Sequence, residues 1–247
     1  MLVVQSIAKS FDGFMAITSA NLKAEKGQIT AVIGQNGAGK TTLFNLITGH
    51  LKPDGGIITF KEQKISGQPP YKICRLGISR SFQLINVFGR LTVLENVQAA
   101  CLARQRKTWD LFYPARKQMI GEALLLLKKV GLRDCAHQPC SLLSYGDQKA
   151  LEIAIALSSK PELLLLDEPT AGMSPEETRA TVELIEKLNR EDGLTVLFTE
   201  HDIDIVFDIA HKIVVSHQGK TIAEGSPDEV RKNPEVQKAY LGEADAC

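Results

Sequence analysis

The sequence has no excess charge of either sign: Lys+Arg and Asp+Glu are both 29. A broad, non-specific nucleic-acid binder needs a basic footprint, so no nucleic-acid partner is expected. Long apolar runs are missing as well. Runs such as Ala123 to Leu127 and Leu163 to Leu166 fall far short of the ~18 residues that signal a membrane span. Any membrane role is therefore expected to come through a partner. The opening Met1-Leu2-Val3-Val4-Gln5 shows neither the basic stretch nor the cleavage pattern of a secretory signal. Cysteine is sparse and unpatterned: Cys74, Cys101, Cys135, Cys140 and Cys247 include no C-x-x-C pair. An odd count without such pairs supports neither a disulfide framework nor a zinc site. Cys135 and Cys140 are expected as lone thiols near a surface, in a reduced, cytoplasmic chain. No repeat or low-complexity segment appears. At 247 residues, 44% hydrophobic and 23% charged, the chain has ordinary globular values, and one large domain is expected.

What is present begins with Gly34-Gln35-Asn36-Gly37-Ala38-Gly39-Lys40-Thr41-Thr42, which fits G-x-x-x-x-G-K-[ST] at Gly34, Gly39, Lys40 and Thr41. Gln28 to Ile33 reads as a buried strand before it, and Thr41 to Thr48 as a helix that stops at Gly49. That strand-motif-helix context is what separates a phosphate loop from a glycine-rich turn. Glycines let successive N–H groups curl toward phosphate oxygens, and the helix N-terminus adds partial positive charge. Lys40 supplies an ammonium for the outer phosphates, and the Thr41 hydroxyl can ligate Mg²⁺.

Before this loop the chain reads as strands: one from Leu2, a second over Phe14 to Ile17, a third over Ser19 to Lys26. Phe11, just ahead of the Asp12-Gly13 turn, reads either as a half-buried strand aromatic or as a base-stacking ring. After the loop, Ile57 to Phe60 is a short strand, Pro69-Pro70 opens a short helix, and Gly77 to Phe82 is a strand ending at Gln83. From Leu84 to about Lys160 only helices are expected. One starts in a capping box at Thr92 and Glu95, one covers Ile120 to Val130, and one runs from about Gln148 to Leu157. This reads as a helical insertion in a phosphate-binding α/β core. The core resumes with Leu163 to Leu166, a fully apolar strand ending in Asp167-Glu168. A helix from Ser174, a strand over Thr195 to Thr199 ending at Glu200-His201, a helix capped by Asp202, a hairpin about Gln218-Gly219 and two short helices follow.

Four predicted strand ends thus carry polar groups: Lys40 with Thr41, Gln83, Asp167 with Glu168, and His201. In an open parallel sheet, ligands bind beyond the carboxyl ends of the strands. Asp167 suits a Mg²⁺ partner, directly or through water. Glu168 suits a base for an attacking water, Gln83 can hold both metal and water, and His201 can donate to a γ-phosphate. Singly, each has a bland reading as helix cap or surface residue; the conjunction on one sheet edge carries the inference.

The same residues carry a resemblance to ATP-binding-cassette ATPases. Gly34 to Thr42 resembles their Walker A motif, Leu163 to Glu168 their Walker B motif with its catalytic glutamate, and Leu143-Ser144-Tyr145-Gly146-Asp147-Gln148 their signature sequence. Gln83 falls at the Q-loop, His201 at the switch histidine and Phe11 at the base-stacking aromatic. The resemblance implies a phosphate-loop NTPase core of α/β class, with a mixed sheet and an N-terminal antiparallel β-subdomain. Residues 1–84 and 161–247 would form that core, and residues 85–160 an inserted helical subdomain, within a single domain over 1–247. It further implies ATP and Mg²⁺ as cofactors. Phe11, Gly34, Asn36, Gly37, Ala38, Gly39, Lys40, Thr41 and Thr42 would hold the nucleotide. Ser144, Tyr145 and Gly146 of a second chain would complete the site in a head-to-tail dimer. Thr41, Gln83 and Asp167 would serve the metal, and Glu168, His201 and Gln83 catalysis.

Residues 77–83, 91–97, 171–177 and 239–243 resemble the ATPase subunits of branched-chain amino acid importers, with urea and short-chain amide importers as close relatives. That implies transmembrane permease subunits as partners, an extracytoplasmic solute-binding protein as an indirect one, and a peripheral place on the inner face of the membrane. The rival is a soluble ATPase of the same family; its translation and repair types carry two cassettes or a long coiled-coil insertion, and this chain has neither. Three departures from the family pattern stand out: Asp147 where Gln is usual, Ser174 where the D-loop has Asp, and Ile155 where Arg is common. Asp147 would repel a nearby γ-phosphate.

Overall fold

The structure, a computed structural model, describes residues 1–81, 87–105 and 118–241. Strands β1 (Leu2–Phe11) and β2 (Phe14–Ala24) form an antiparallel hairpin. Its turn residues Asp12 and Gly13 both have left-handed backbones, φ 47° and 86°, matching the twist of the flanking strands. The buried strand β3 (Ile29–Ile33) leads through the glycine-rich loop into helix α1 (Lys40–Ile47). Strands β4 (Gly55–Phe60) and β5 (Gln63–Lys64) extend the hairpin beyond β1. Helix α2 (Pro70–Leu76), opened by Pro70 in its first turn, precedes strand β6 (Ile78–Ser81).

Helices α3 (Val93–Gln105), α4 (Ile120–Lys129) and α5 (Tyr145–Leu157) follow, packed against one another. The capping box at α3 forms as expected: Glu95 N–H donates to Thr92 Oγ1 at 3.1 Å, and Thr92 N–H to Glu95 Oε2 at 2.9 Å. Strand β7 (Leu163–Asp167), helix α6 (Pro175–Asp192), strand β8 (Thr195–Thr199) and helix α7 (Ile203–Ile209) come next. Hairpin β9 (Lys212–His217) and β10 (Lys220–Gly225), helices α8 (Pro227–Lys232) and α9 (Pro234–Val236) and a π-helical turn, Gln237–Leu241, complete the described chain.

The strands form one sheet in the order β5-β4-β1-β2-β10-β9-β3-β8-β7-β6. From β9 to β6 every pairing is parallel, and β1, β2, β4 and β5 are antiparallel. The sheet is mixed, with an antiparallel N-terminal part, as expected. Alternate residues of the central strands feed two apolar layers. Ile29, Ala31, Leu164, Leu166, Val196 and Phe198 face α3 to α7. Val32, Leu163, Leu165 and Leu197 face α1 and the β1–β2 hairpin. All four leucines of β7 are fully buried, each stabilising the fold by about 1.5–3 kcal/mol. The same alternation directs Asp167, the next odd-numbered residue, to the α1 side.

Three local expectations change. Phe14 to Ala24 is one strand, not two, because Gly219 O receives the Thr18 and Ser19 N–H groups and Lys220 pairs with Ser19. Helix α5 begins at Tyr145 rather than near Gln148, because Ser144 caps it by accepting from Asp147 N–H at 3.1 Å. Cys140 is buried in a short 3₁₀ turn, Cys140–Leu142, rather than near a surface.

Candidate functional site

Residues 34–42 join a rigid strand to a helix whose first turn has no occupant of its own. Gly39 is the N-cap of α1 at φ 92°, with no side-chain cap and no acidic residue in the first turn. A Cβ there would lie 2.9 Å from the Ala16 carbonyl oxygen, so glycine is needed for both space and conformation. Gly34 is required by close approach: a Cβ would sit 2.2 Å from the Ser216 carbonyl oxygen at the end of β9. The turn leaves the leading N–H groups of α1 directed at the loop's hollow, where an anion is favoured.

Lys40 is buried and folds back onto the loop, its Nζ 2.5 Å from Gly34 O and 3.3 Å from Gln35 O. Desolvation lowers its pKa, and the charges of Glu168 and Asp167 oppose that shift. A phosphate offers this ammonium a better partner than two neutral carbonyls, so Lys40 is poised to turn outward. A cavity of about 330 Å³ runs from Phe11 and Phe14 along residues 35–42 to Glu168. Phe11 is 41% exposed and Phe14 72% exposed. Both rings border this cavity, so Phe11 is no core aromatic, and Phe14 stands with it at the cavity's end.

Beyond β7 and β8 the acidic and imidazole groups converge. Asp167 is 1% exposed and both its oxygens are engaged. Oδ2 accepts from Arg80 on β6 at 2.6 Å, and Oδ1 accepts from Thr199 Oγ1 on β8 at 2.8 Å. The Arg80 guanidinium also donates to Asn45 Oδ1 on α1 at 2.6 Å and stands over the Phe44 ring. One buried cation thereby ties α1, β6 and β7 together. Thr199 Oγ1 in turn accepts the Glu168 N–H at 3.0 Å. Glu168 has a left-handed backbone, φ 49°, an unusual conformation for a residue with a long side chain that its surroundings must hold. It turns the carboxylate toward His201, whose Nε2 lies 2.7 Å from Glu168 Oε1. Glu200 is buried: Oε1 accepts from the Thr170 N–H and hydroxyl, and Oε2 from the His201 N–H.

Lys40, Thr41, Asp167, Glu168 and His201 thus stand at neighbouring strand ends, as their order in the sheet demands. Gln83 lies outside the described residues. Among those described, no group of three or more His, Cys, Asp or Glu could hold a metal. Mg²⁺ on a nucleotide takes most of its ligands from phosphates and water. The exposed Thr41 hydroxyl fits a direct place, whereas Asp167, buried with both oxygens engaged, fits only contact through a water.

Ser144, Tyr145 and Gly146 stand apart. None of them borders the cavity at residues 35–42. They begin α5 and pack on the start of α6 instead. Gly146 N–H donates to Glu177 Oε1 at 3.0 Å.

Residues 17–171 match the ABC transporter family, and residues 220–246 match the branched-chain amino acid ATP-binding cassette transporter family. The chain belongs to the ABC transporter family. The cassette is 40% identical to the high-affinity branched-chain amino acid transport ATP-binding protein LivG of Salmonella typhimurium, covering 99% of this chain and 98% of the relative. It is 41% identical, with the same coverage, to the protein of that description called BraF in Pseudomonas aeruginosa. Among solved structures it is similar to the ADP conformation of the cassette MJ1267, with a TM-score of 0.87 at 31% identity over 98% of each chain. It is also similar to the dimeric, post-hydrolysis cassette MJ0796 bound to ADP and Pi, with a TM-score of 0.78 at 27% identity over 92% of this chain and 99% of that one.

Sequence reasoning overlooked several residues of the cassette's site. Phe14 had a local signal, the second aromatic flanking Asp12-Gly13. Arg80 carried no role of its own within the expected strand Gly77 to Phe82, and Glu200 was only a strand end. Glu177 carried no role beyond its place in the run 171–177. Their partners lie 30 to 87 residues away, so no local pattern reveals them.

Proposed function

We propose that this cassette is the ATP-binding and ATP-hydrolysing subunit of an importer for branched-chain amino acids or a related small amide or urea solute. The observation that carries the reading is the convergence at one sheet edge of an open phosphate loop with Lys40, a buried Asp167 and a Glu168–His201 pair. The nucleotide base stacks on Phe11 and Phe14, and residues 34–42 wrap its phosphates. Glu168 takes a proton from the attacking water as the water oxygen bonds to the γ-phosphorus. The bond between that phosphorus and the β–γ bridging oxygen breaks, releasing ADP and phosphate. His201 orients Glu168 and can donate to the γ-phosphate. Gln83 is assigned to the same water and metal on its resemblance. Thr41 and Asp167 would hold Mg²⁺, which would supply charge neutralisation for the transferred phosphoryl group.

Residues 144–146 begin a helix remote from their own loop, which supports a site shared between two chains arranged head to tail. The second chain is an identical copy or a paralogue. No described helix is long and apolar enough to cross a membrane, so the permease subunits form the transport path and the cassette docks on their cytoplasmic side. A solute-binding protein outside the membrane would deliver the solute.

Glu168→Gln tests the catalytic reading. Phosphate release should fall on the order of 10²–10⁴-fold, while binding of a fluorescent ATP analogue persists. Full turnover by the variant would remove Glu168 as the base.

A further inference from the structure

The donors proposed to receive a second chain's γ-phosphate already hold an anion. The Glu177 carboxylate, from the first turn of α6, sits on the N-terminus of α5. Its Oε1 accepts the Gly146 N–H at 3.0 Å. The Ser144 hydroxyl is near enough to add a smaller favourable contribution to the charged carboxylate. Oε2 accepts both the N–H and the hydroxyl of Ser174 at 3.0 Å, closing the capping box of α6. With three hydrogen-bond donors on it, the carboxylate is held below the ordinary range, the Ser174 and Gly146 N–H groups contributing first.

The contact shapes the backbone as well. A Cβ on Gly146 would meet Glu177 Cγ at 2.9 Å and Cβ at 3.1 Å. The glycine is needed because the Glu177 stem lies against it, since its φ is not in the left-handed region. The capping box alone does not require this arrangement. The capping box at α8, Ser226 with Glu229, closes through Glu229 Oε2 with no reach to a second helix.

We propose that Glu177 is an internal occupant of the γ-phosphate site on the signature helix, displaced when a partner's ATP arrives, and that it thereby sets the affinity of nucleotide-driven dimerisation. The inference rests on the shared-site reading above. A carboxylate and a phosphate compete for the same N–H and hydroxyl because each donor can fully serve only one of them. The side chain moves off Gly146 by rotating about its terminal bonds, while Ser174 still offers it two donors. In the closed dimer Glu177 would otherwise stand as a like charge beside the γ-phosphate, so the isolated chain holds itself open.

The test uses the full chain carrying Glu168→Gln, so that ATP is bound and not consumed, with dimerisation followed by sedimentation against ATP concentration. Adding Glu177→Gln removes the charge but keeps the shape. Adding Glu177→Asp keeps the charge at α6 and shortens the reach to Gly146. Both should dimerise at about tenfold lower protein concentration than the parent. If neither variant tightens the dimer, or both weaken it, Glu177 is a brace for the signature and the proposal fails. If the Glu168→Gln parent shows no ATP-driven dimer, the shared-site reading falls first. Melting temperatures and ATP binding by the monomers identify any variant that merely misfolds.

Discussion

Helices α1 and α5 are both proposed to receive phosphate at their starts, yet those starts are built in opposite ways. Helix α1 has glycine at its N-cap, no side-chain cap and no acidic residue in its first turn, and Lys40 opens it. Helix α5 has a serine cap, Asp147 in its first turn and the Glu177 carboxylate on its Gly146 N–H. The first leaves its donors and dipole to a ligand; the second satisfies itself from within the chain. An end that binds nucleotide in the single chain must be open beforehand. An end that acts only once two chains meet is safer when occupied, since unpaired donors on an exposed face invite any anion. The braces differ too. Asn45 on α1 is held by the buried Arg80–Asp167 pair, whereas α5 leans on a part-buried loop and helix start.

Breaking the brace behind α1 should have the largest effect. Arg80 and Asp167 are nearly inaccessible, and removing one partner strands the other's charge. Arg80→Met should destabilise the chain by about 3–5 kcal/mol, read from urea denaturation. A loss below about 1 kcal/mol would mean that the pair is solvated and that Asp167 is positioned by other groups. At the other helix, Ser144→Arg should weaken ATP-driven dimerisation by about 10–100-fold through overpacking at the signature, with nucleotide binding by the monomer unchanged. Dimerisation at the parent's protein concentration would show that α5 does not face a second chain's nucleotide. The smallest effect belongs to the cap itself. Ser144→Ala should cost about 1 kcal/mol of stability, seen as a lower melting temperature. No change would imply that Glu177 alone holds the start of α5.

Much of the site was readable along the chain because its parts are contiguous. Residues 34–42 announce themselves by spacing, the leucines of β7 by their unbroken run, and the starts of α3 and α6 by Thr92 with Glu95 and by Ser174. The start of α5 was misplaced by three residues because Tyr145 and Gly146 do not look like helix interior, although Ser144 is a competent cap. The continuity of β2 was hidden because what sustains it at Thr18 and Ser19 is a carbonyl at Gly219, some two hundred residues on.

The sequence by itself determined which short stretches turn, cap, alternate and bind phosphate, because those properties depend on neighbours within one helical turn or one strand pleat. Only the tertiary structure decided which charges share a burial site. Arg80 meets Asp167 across 87 residues because β6 and β7 pair in parallel with Arg80 opposite Leu165. Glu177 meets Gly146 across 31 because α6 begins beside the start of α5. A carboxylate's partner is chosen by desolvation and distance in three dimensions, and neither is encoded in any one window of the chain.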